Sequence, residues 1–495
     1  MKNESVLAYD LGTSGVKIVA VGFDGELIGV ETEYYSLYSP QKGYAEQDPH
    51  EIWEAVCRGT RKLVSAYDID LESIRGMAFG TQWKAIIPVD RDGNVLHNAI
   101  IWMDTRAQVQ ADALNRKMNT SEFSNRDYHA RLMWFRENRQ HLYEKTCLFL
   151  ELNSYLKYRL CGNVASDLSN NFIESNDPGL NVHYQNILEN SGLDREKFPP
   201  LVMPEEKVGE VHEEAAAAMG IRAGVEVFAG FGDIPAVAVG TGASKTDEAH
   251  FYLGSSGWLA VSVQERKEGI GELYQSFYKG QELLLYVLQS ACMTLNWAVD
   301  LFYSHEKKVL GNKVFERIDS DIKTILDERS FVVATPWLNG ELPPLSSHAR
   351  ACFINLSAFH DRRHMVRAVR ESIGFSLRTK MINYHEQTGK TIESIRIAGG
   401  ATESAVWMQT LSNILNIPVV IPANARHAGA VGVACCALVG LGIYKDFAEA
   451  QEGVKVDRVF DPQKRFEAHY GKLFSAYETI YPSLQETFRL LGKQE

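Results

Sequence analysis

Four groups of residues have types and spacings that can carry chemistry. In Asp10-Leu-Gly-Thr13-Ser14-Gly-Val-Lys17 a Gly/Ser/Thr turn has a carboxylate before it and an ammonium after it. Such a turn offers closely spaced N–H groups and hydroxyls that suit a polyanionic phosphate chain. Asp10 can hold Mg²⁺, usually through waters, and Lys17 can neutralise a phosphate oxygen. A well-made hairpin with an exposed lysine explains the same letters. The second group, Tyr252-Leu-Gly-Ser255-Ser256-Gly-Trp, repeats the first. Laid over residues 10–21, residues 252–263 show Leu, Gly, Ser, Gly, Val and Val at matching places. In the third, Gly230-Phe-Gly-Asp233-Ile-Pro235, flexible glycines lead to an Asp with Pro two residues on, so Asp233 stands at a helix N-terminus. It is either a simple helix cap or a general base that takes a proton from an attacking hydroxyl in phosphoryl transfer. A helix N-terminus favours the anion and so weakens the base. The fourth is the strand Ile395–Ala398 running into Gly399-Gly400-Ala401, where a flat ring such as adenine can approach the backbone; a plain strand-to-helix connection serves almost as well.

These groups need elements to hold them. Val6–Asp10, Val16–Val21 and Leu27–Val30 alternate with tight turns and predict an antiparallel meander. Asp48-Pro49-His50-Glu51 carries the marks of a capped helix start, with Glu three positions after the cap. Ile74–Gly80 is expected as a strand, and Ile86–Val89 with Val95–Leu96 as a hairpin around Asp92-Gly93. Hairpins followed by alternating strands and helices define a mixed-sheet α/β fold. The recurrence of the first turn near mid-chain predicts two related lobes with a crossover in Thr241–Glu248. Ala428 to Tyr444 is uncharged and crowded with Gly and Ala; it falls short of a membrane span and predicts a helix buried against something flat.

The 495 residues are 45% hydrophobic and 23% charged, a globular balance that excludes collagen-like and disordered chains. A net charge of −12 without long runs of one sign excludes a nucleic-acid or anionic-membrane surface. An anion must therefore be bound by a local site. Seven scattered cysteines lack any CxxC spacing, which predicts reduced thiols in a cytoplasmic protein. The N-terminus lacks the layout of a signal peptide. No Walker loop, and no GxGxxG between strand and helix near these groups, supports the common nucleotide folds. His360 and His364, four apart on the expected helix Asp361–Ser372, are expected at the surface. Cys435 and Cys436 are expected in the core, and the eight Trp are too dispersed to stack nucleobases.

Taken in order, the set resembles the FGGY family of carbohydrate kinases, members of the actin/hexokinase/heat-shock chaperone superfamily. The matching segments are Asp10–Lys17, Gln82 after a Gly-ended strand, Ile101-Trp102-Met-Asp104-Thr-Arg106 and Gly230–Asp233. They continue through Leu253–Gly257, Pro336-Trp-Leu-Asn-Gly-Glu341, Gly399–Trp407 and Ala430–Ala434. The resemblance implies two RNase H-like lobes closing over a deep cleft, with a sugar-binding lobe over residues 1–245 and a nucleotide-binding lobe over 246–495. It implies ATP and Mg²⁺ as cofactors, Asp233 as catalytic base and Asp10 as the residue that helps hold the metal. Thr13, Ser14, Lys17, Ser255 and Ser256 would line the phosphates. Gly399, Gly400 and Ala401 would border adenine; Gln82, Trp83, Lys84, Asp104 and Asp233 would face the sugar.

Departures from the family pattern bear on substrate choice. Xylulose kinases of the family usually have Gln-Met-His where this chain has Gln82-Trp83-Lys84. Trp83 narrows the pocket, and Lys84 adds a positive charge or extends into solvent at its lip. Ala401 replaces a third glycine, His427 sits where an acid is common, Leu342 where Arg is common, and Arg131 where Lys is usual. The expectation is a sugar kinase acting on a small open-chain sugar or polyol, D-xylulose first, with a sugar acid such as gluconate or another ketose or polyol as the alternative. A homodimer is left open as its assembly, and neither nucleic acid nor membrane is expected as a partner. An actin- or chaperone-like ATPase and an inactive sugar sensor are the readings from other classes.

Overall fold

The computed structural model describes residues 4–265, 267, 273–278, 280–341 and 345–492; Leu342 lies outside them. The chain divides into two compact units. The first comprises Met1–Gly240, Ser276–Glu282 and Gly429–Gly453, and the second Thr241–Gln275, Leu283–Ala428 and Val454–Glu495.

In the first unit Ser5–Leu11 (β1), Gly15–Gly22 (β2) and Leu27–Tyr34 (β3) form the expected meander. Ile74–Thr81 (β4) lies parallel to β1. Lys207–Glu210 (β5) and Glu226–Phe228 (β6) complete a sheet of order β5-β6-β4-β1-β2-β3, with Phe231–Gly232 (β7) also on β4. β6 and β7 run parallel to β4, and β5 runs antiparallel to β6. β1 is buried almost throughout, the pattern of a strand covered on both faces.

Helix Pro49–Ala66 (α1) packs its Ile52, Val56 and Leu63 face on β2 and β3. It begins where Asp48 accepts a hydrogen bond from His50 N–H, 2.8 Å away. Glu51 does not turn back onto the cap. Its carboxylate instead accepts from Ser36 N–H and Oγ–H and from Tyr38 O–H, pinning the segment that follows β3. The small-residue helix Ala428–Gly440 finds its flat surface on β4: a Cβ on Gly80 would lie 2.3 Å from Val433, and one on Gly76 3.5 Å from Ala437 Cβ. At Gly80 the helix lies so close that any side chain would have to displace Val433, whereas Gly76 meets Ala437 at ordinary contact distance.

The second unit repeats this plan. Within a seven-stranded sheet, Ala249–Leu253 (β8), Gly257–Val263 (β9), Ile395–Ala398 (β10), Val419–Pro422 (β11) and Val456–Phe460 (β12) run in the order β9-β8-β10-β11-β12. As in the first unit, a hairpin continues into two parallel neighbours and an antiparallel edge. The hairpins differ in register: Leu11 pairs with Val16, whereas Leu253 pairs with Gly257, so the second turn is tighter.

Two local expectations are extended. The hairpin around Asp92-Gly93 is present, with Val89 bridging Val95, Leu96 N–H donating to Pro88 O at 2.9 Å and Asp90 N–H to Asn94 O at 3.0 Å, and Ile87–Val89 also pairs with Leu148–Leu150. The helix expected over Asp361–Ser372 runs from Arg362 to Thr388, and His364 is buried in its first turn. There its ring completes a capping box with Asp361 and lies within hydrogen-bond distance of Glu328. All seven cysteines are free, with Cys435 and Cys436 buried. Among the described residues no helix is long and apolar enough to cross a membrane.

Candidate active site

Three parallel neighbours of the first sheet end together. Asp10 on β1 is in register with Gly80 on β4, which is in register with Phe231 on β7. One step further along, β4 delivers Gln82 and β7 delivers Asp233. Carboxyl ends of parallel strands are where open α/β sheets present their ligand-binding groups. Sequence-distant Asp10, Gln82 and Asp233 thus share one edge because of strand register. Gln82 N–H donates to Leu11 O at 2.8 Å, which keeps the ends of β1 and β4 level.

Asp233 opens helix Asp233–Thr241 (α2), half-buried, and one carboxylate oxygen accepts from Ile234 N–H at 3.0 Å. That bond and the helix end favour the anion. Burial and the neighbouring Asp10 charge outweigh them, and the carboxyl is pushed up to about 7. A base of that proton affinity accepts a proton near neutrality while ionised in a useful fraction of molecules. The conflict posed by the helix N-terminus is therefore resolved first by burial and then by a second carboxylate.

Asp10 faces Lys17 across the β1–β2 pair, with Nζ and Oδ2 3.7 Å apart. A Cβ at Gly429, the second residue of the Ala428–Gly440 helix, would fall 2.8 Å from Asp10 Oδ2, so only glycine leaves that oxygen room. Among the described residues no three His, Cys, Asp or Glu side chains form a metal cluster. One partly exposed carboxylate fits Mg²⁺, which takes one or two carboxylates and completes its shell with waters and phosphate oxygens. The turn itself is held by Tyr35, whose hydroxyl lies 2.5 Å from Gly12 O and 3.1 Å from Gly15 O. Thr13 is half-buried and Ser14 exposed.

Beside this edge Trp83 donates its indole N–H to Ser169 O at 3.0 Å and meets Phe172 edge-on. Lys84 adopts a left-handed backbone, φ 60°. Its side chain does not extend into solvent: the ammonium stands 5.2 Å from the Phe172 ring centre and 5.6 Å from that of Trp83. Burial holds it below the usual lysine range, opposed by the Asp127 charge. Arg131 is fully buried and donates to the carbonyls of Ile100, Ile101 and Lys84, a shared brace for both segments. Lysine, with a single nitrogen, could not span three carbonyls in this geometry.

Asp104 is fully buried and its carboxylate is engaged by protein groups. Oδ1 accepts from Arg106 N–H and Nε–H, while Oδ2 accepts from an Arg106 terminal N–H at 2.7 Å and from Ala45 N–H at 2.6 Å. Arg106 lies 3.7 Å from the Tyr44 ring centre and also binds Glu46. The structure thus brings Asp10, Thr13, Lys17, Gln82 and Asp233 together, with Trp83 and Lys84 next to Gln82, and sets Asp104 behind them as the anchor of residues 43–47.

In the second unit the Gly254–Ser256 turn is tied to the start of helix Cys292–Phe302. Ser255 O accepts from Ala291 N–H at 2.9 Å and Met293 N–H at 3.0 Å; Gly254 O accepts from Cys292 N–H at 2.9 Å. Gly399, with φ 113°, is packed so closely on Leu253 O that a Cβ would lie 2.4 Å away. The Ser255–Ser256 turn and the Gly399–Ala401 segment therefore adjoin. Gly400 has no atom within 4 Å of a would-be Cβ, leaving open space over that backbone.

Sequence reasoning missed Gln47, Arg106 as a binding partner of Asp104, and Ser169. Ser169 Oγ accepts from Gly232 N–H at 2.6 Å, immediately before Asp233, and its own carbonyl holds Trp83. Asp167 accepts from the backbone N–H of Ser169 in turn. Nothing in local periodicity marks these residues, because each reaches the site through a tertiary contact.

Two family descriptions match: FGGY family of carbohydrate kinases, N-terminal domain, over residues 5–240, and the C-terminal domain over residues 254–441. The chain belongs to the FGGY family of carbohydrate kinases. It is accordingly a phosphotransferase built from two α/β lobes of the actin/hexokinase type. Among similar proteins, the xylulose kinase of Staphylococcus epidermidis is 28% identical over 98% of each chain. The L-xylulose/3-keto-L-gulonate kinase of Escherichia coli is 26% identical over 97% of each. The crystal structure of ligand-bound xylulose kinase from Lactobacillus acidophilus superposes with a TM-score of 0.85 at 22% identity, covering 99% of this chain and 100% of that one.

Proposed function

We propose that this kinase transfers the γ-phosphoryl group of ATP to a hydroxyl of D-xylulose, with Asp233 as the general base. The observation that carries this is the Asp233–Asp10 pair at the ends of the two strands that flank β4, with Asp233 poised near 7. Asp233 accepts the proton of the attacking hydroxyl, the sugar oxygen bonds to phosphorus, and ADP leaves with the electrons of the broken P–O bond. Thr13, Ser14, Lys17, Ser255 and Ser256 orient the phosphate oxygens, while Gly399, Gly400 and Ala401 border the adenine. Gln82, Trp83 and Lys84 hold the sugar, and Asp104 keeps their surroundings rigid from behind. Asp10 is the residue that would hold Mg²⁺, whose charge, when bound, offsets that of the phosphates. Most of the acceleration comes from positioning and charge stabilisation. The xylulose kinases among its full-length relatives support this substrate.

Lys84 favours a second reading, a sugar acid, since a largely desolvated ammonium pairs well with a carboxylate. The relative named for 3-keto-L-gulonate supports that class. A coupled ADP-release screen over pentuloses, hexuloses, polyols and aldonic acids decides between them. D-xylulose is expected to give the highest kcat/KM, and Lys84→Met to change it little. If an acid is the substrate instead, it leads the screen, and Lys84→Met lowers its kcat/KM by about 10- to 100-fold, the worth of a charged hydrogen bond. ADP release that no sugar stimulates would overturn both readings.

A further inference from the structure

Gln47 is completely buried at the end of the short strand Glu46–Gln47, which pairs with Ala99–Ile100. Its amide closes a ring of hydrogen bonds. Nε2 donates to the backbone carbonyl of Thr13 at 2.7 Å, and Oε1 accepts from Gln82 Nε2 at 2.6 Å. Gln82 Oε1 accepts from the Thr13 hydroxyl at 3.2 Å, and that hydroxyl accepts from the Trp102 indole N–H, also at 3.2 Å.

The polarity of this ring is forced. A backbone carbonyl can only accept, so Gln47 must point its NH₂ at Thr13 O and its oxygen at Gln82. Gln82 must then offer its NH₂ to Gln47 and its oxygen to Thr13, which leaves the hydroxyl as donor. Turning over the Gln47 amide would set two oxygens face to face and two NH₂ groups face to face. One carbonyl in the phosphate turn thus fixes how Gln82 presents its remaining N–H.

We propose that Gln47 is a positioning residue that couples the sugar pocket to the phosphate turn. The inference rests on the reading above, in which Gln82 touches the sugar and Thr13 borders the phosphates. A sugar hydroxyl bound by the free N–H of Gln82 fixes that amide, and the ring passes the constraint to both the hydroxyl and the carbonyl of Thr13. Linkage then requires reciprocity: sugar tightens nucleotide binding by the same factor as nucleotide tightens sugar binding.

The test is calorimetric titration of D-xylulose and of the β,γ-imido analogue of ATP, each with and without the other present. The wild-type chain is expected to show mutual tightening of about fivefold or more. Gln47→Met breaks two links of the ring, and Thr13→Val breaks the third while leaving the carbonyl in place. Each is expected to bring the factor close to one. The double variant should lose no more than either single one, because the ring acts as a unit. Loss of packing alone would lower the individual affinities additively and leave the factor intact. Thr13 is half-buried in a turn, so Thr13→Val reports on the ring even if Gln47→Met does not fold. A folded variant with the wild-type factor, or additive losses in the double variant, overturns the coupling role of Gln47 while wild-type turnover of xylulose stands. Absence of sugar-dependent ADP release in the wild-type chain removes the underlying reading and the inference with it.

Discussion

Asp233→Asn is expected to lower kcat by about 10²–10⁴-fold, the usual contribution of a general base, with KM for nucleotide and sugar largely unchanged. The amide keeps the shape and still accepts from Ile234 N–H, but it cannot take the hydroxyl proton. The wild-type pH profile should show the same group. Only the ionised carboxylate works as a base, so kcat/KM for the sugar, which reports the free enzyme, should fall on the acid side with a midpoint near pH 7. Asp10→Asn removes the charge that helps hold Asp233 up, and should carry that midpoint to lower pH in whatever activity remains. Stability should run the other way. Between the ordinary carboxylate range and pH 7 the folded chain keeps a proton at Asp233 that the unfolded chain has lost, so stability falls as pH rises through this window. Above it the ionised carboxylate opposes folding. Asp233→Asn should therefore raise Tm at pH 8 and change it little near pH 3.5, as read by scanning calorimetry. A catalytic group held at the expense of stability commonly shows this pattern. Near-normal kcat, or a lowered Tm at pH 8, would remove Asp233 from the role assigned to it.

Much of this site was legible because its signals are local. The Gly12–Gly15 and Gly254–Ser256 turns announce hairpins by their own chemistry, and their recurrence gave the two-lobe plan. Gly-Asp-x-Pro placed Asp233 at a helix start. What could not be read was its proton affinity. That depends first on burial by the packed tertiary structure and then on Asp10, which the shared parallel strand β4 brings near. The sequence left Lys84 open between a charge in the pocket and a solvated lip residue, because composition says nothing of Phe172, far along the chain, beside which its ammonium lies. Gln47 escaped for the same reason: its neighbour Asp48 carried a capping signal, whereas the role of Gln47 exists only after Thr13 and Gln82 have been brought to it. The small-residue helix was foreseen as lying on something flat. That the surface would be the strand of Gly76 and Gly80, beside the edge that carries Asp10 and Asp233, was hidden until the sheet order was known.

That helix supports the second large expected effect. Gly432, in its first half, touches α2 backbone to backbone. A Cβ there would lie 1.8 Å from Ala236 O, 2.7 Å from Ala236 C and 2.8 Å from Gly240 N. No side chain stands between them that could yield, so Gly432→Ala must part the two helices by roughly 1.5 Å to restore an ordinary contact. Asp233 begins one of those helices. The other carries Gly429 against Asp10 and Val433 against Gly80, so the separation is felt by both carboxylates at once. Overpacking of this kind costs about 1–3 kcal/mol or more, and displacing a reacting group by about 1 Å can cost 10²-fold in rate. Gly432→Ala is therefore expected to lower Tm by several degrees and kcat by about two orders of magnitude, without contacting either substrate. Gly471→Ala is the matched control: it lies within helix Lys464–Leu491 with nothing within 4 Å of the new methyl. Alanine there should leave kcat unchanged and stabilise the helix by up to about 1 kcal/mol. If Gly432→Ala keeps both Tm and kcat, the two helices are not the rigid support on which the spacing of Asp10 and Asp233 depends, and that spacing must come from the strands alone.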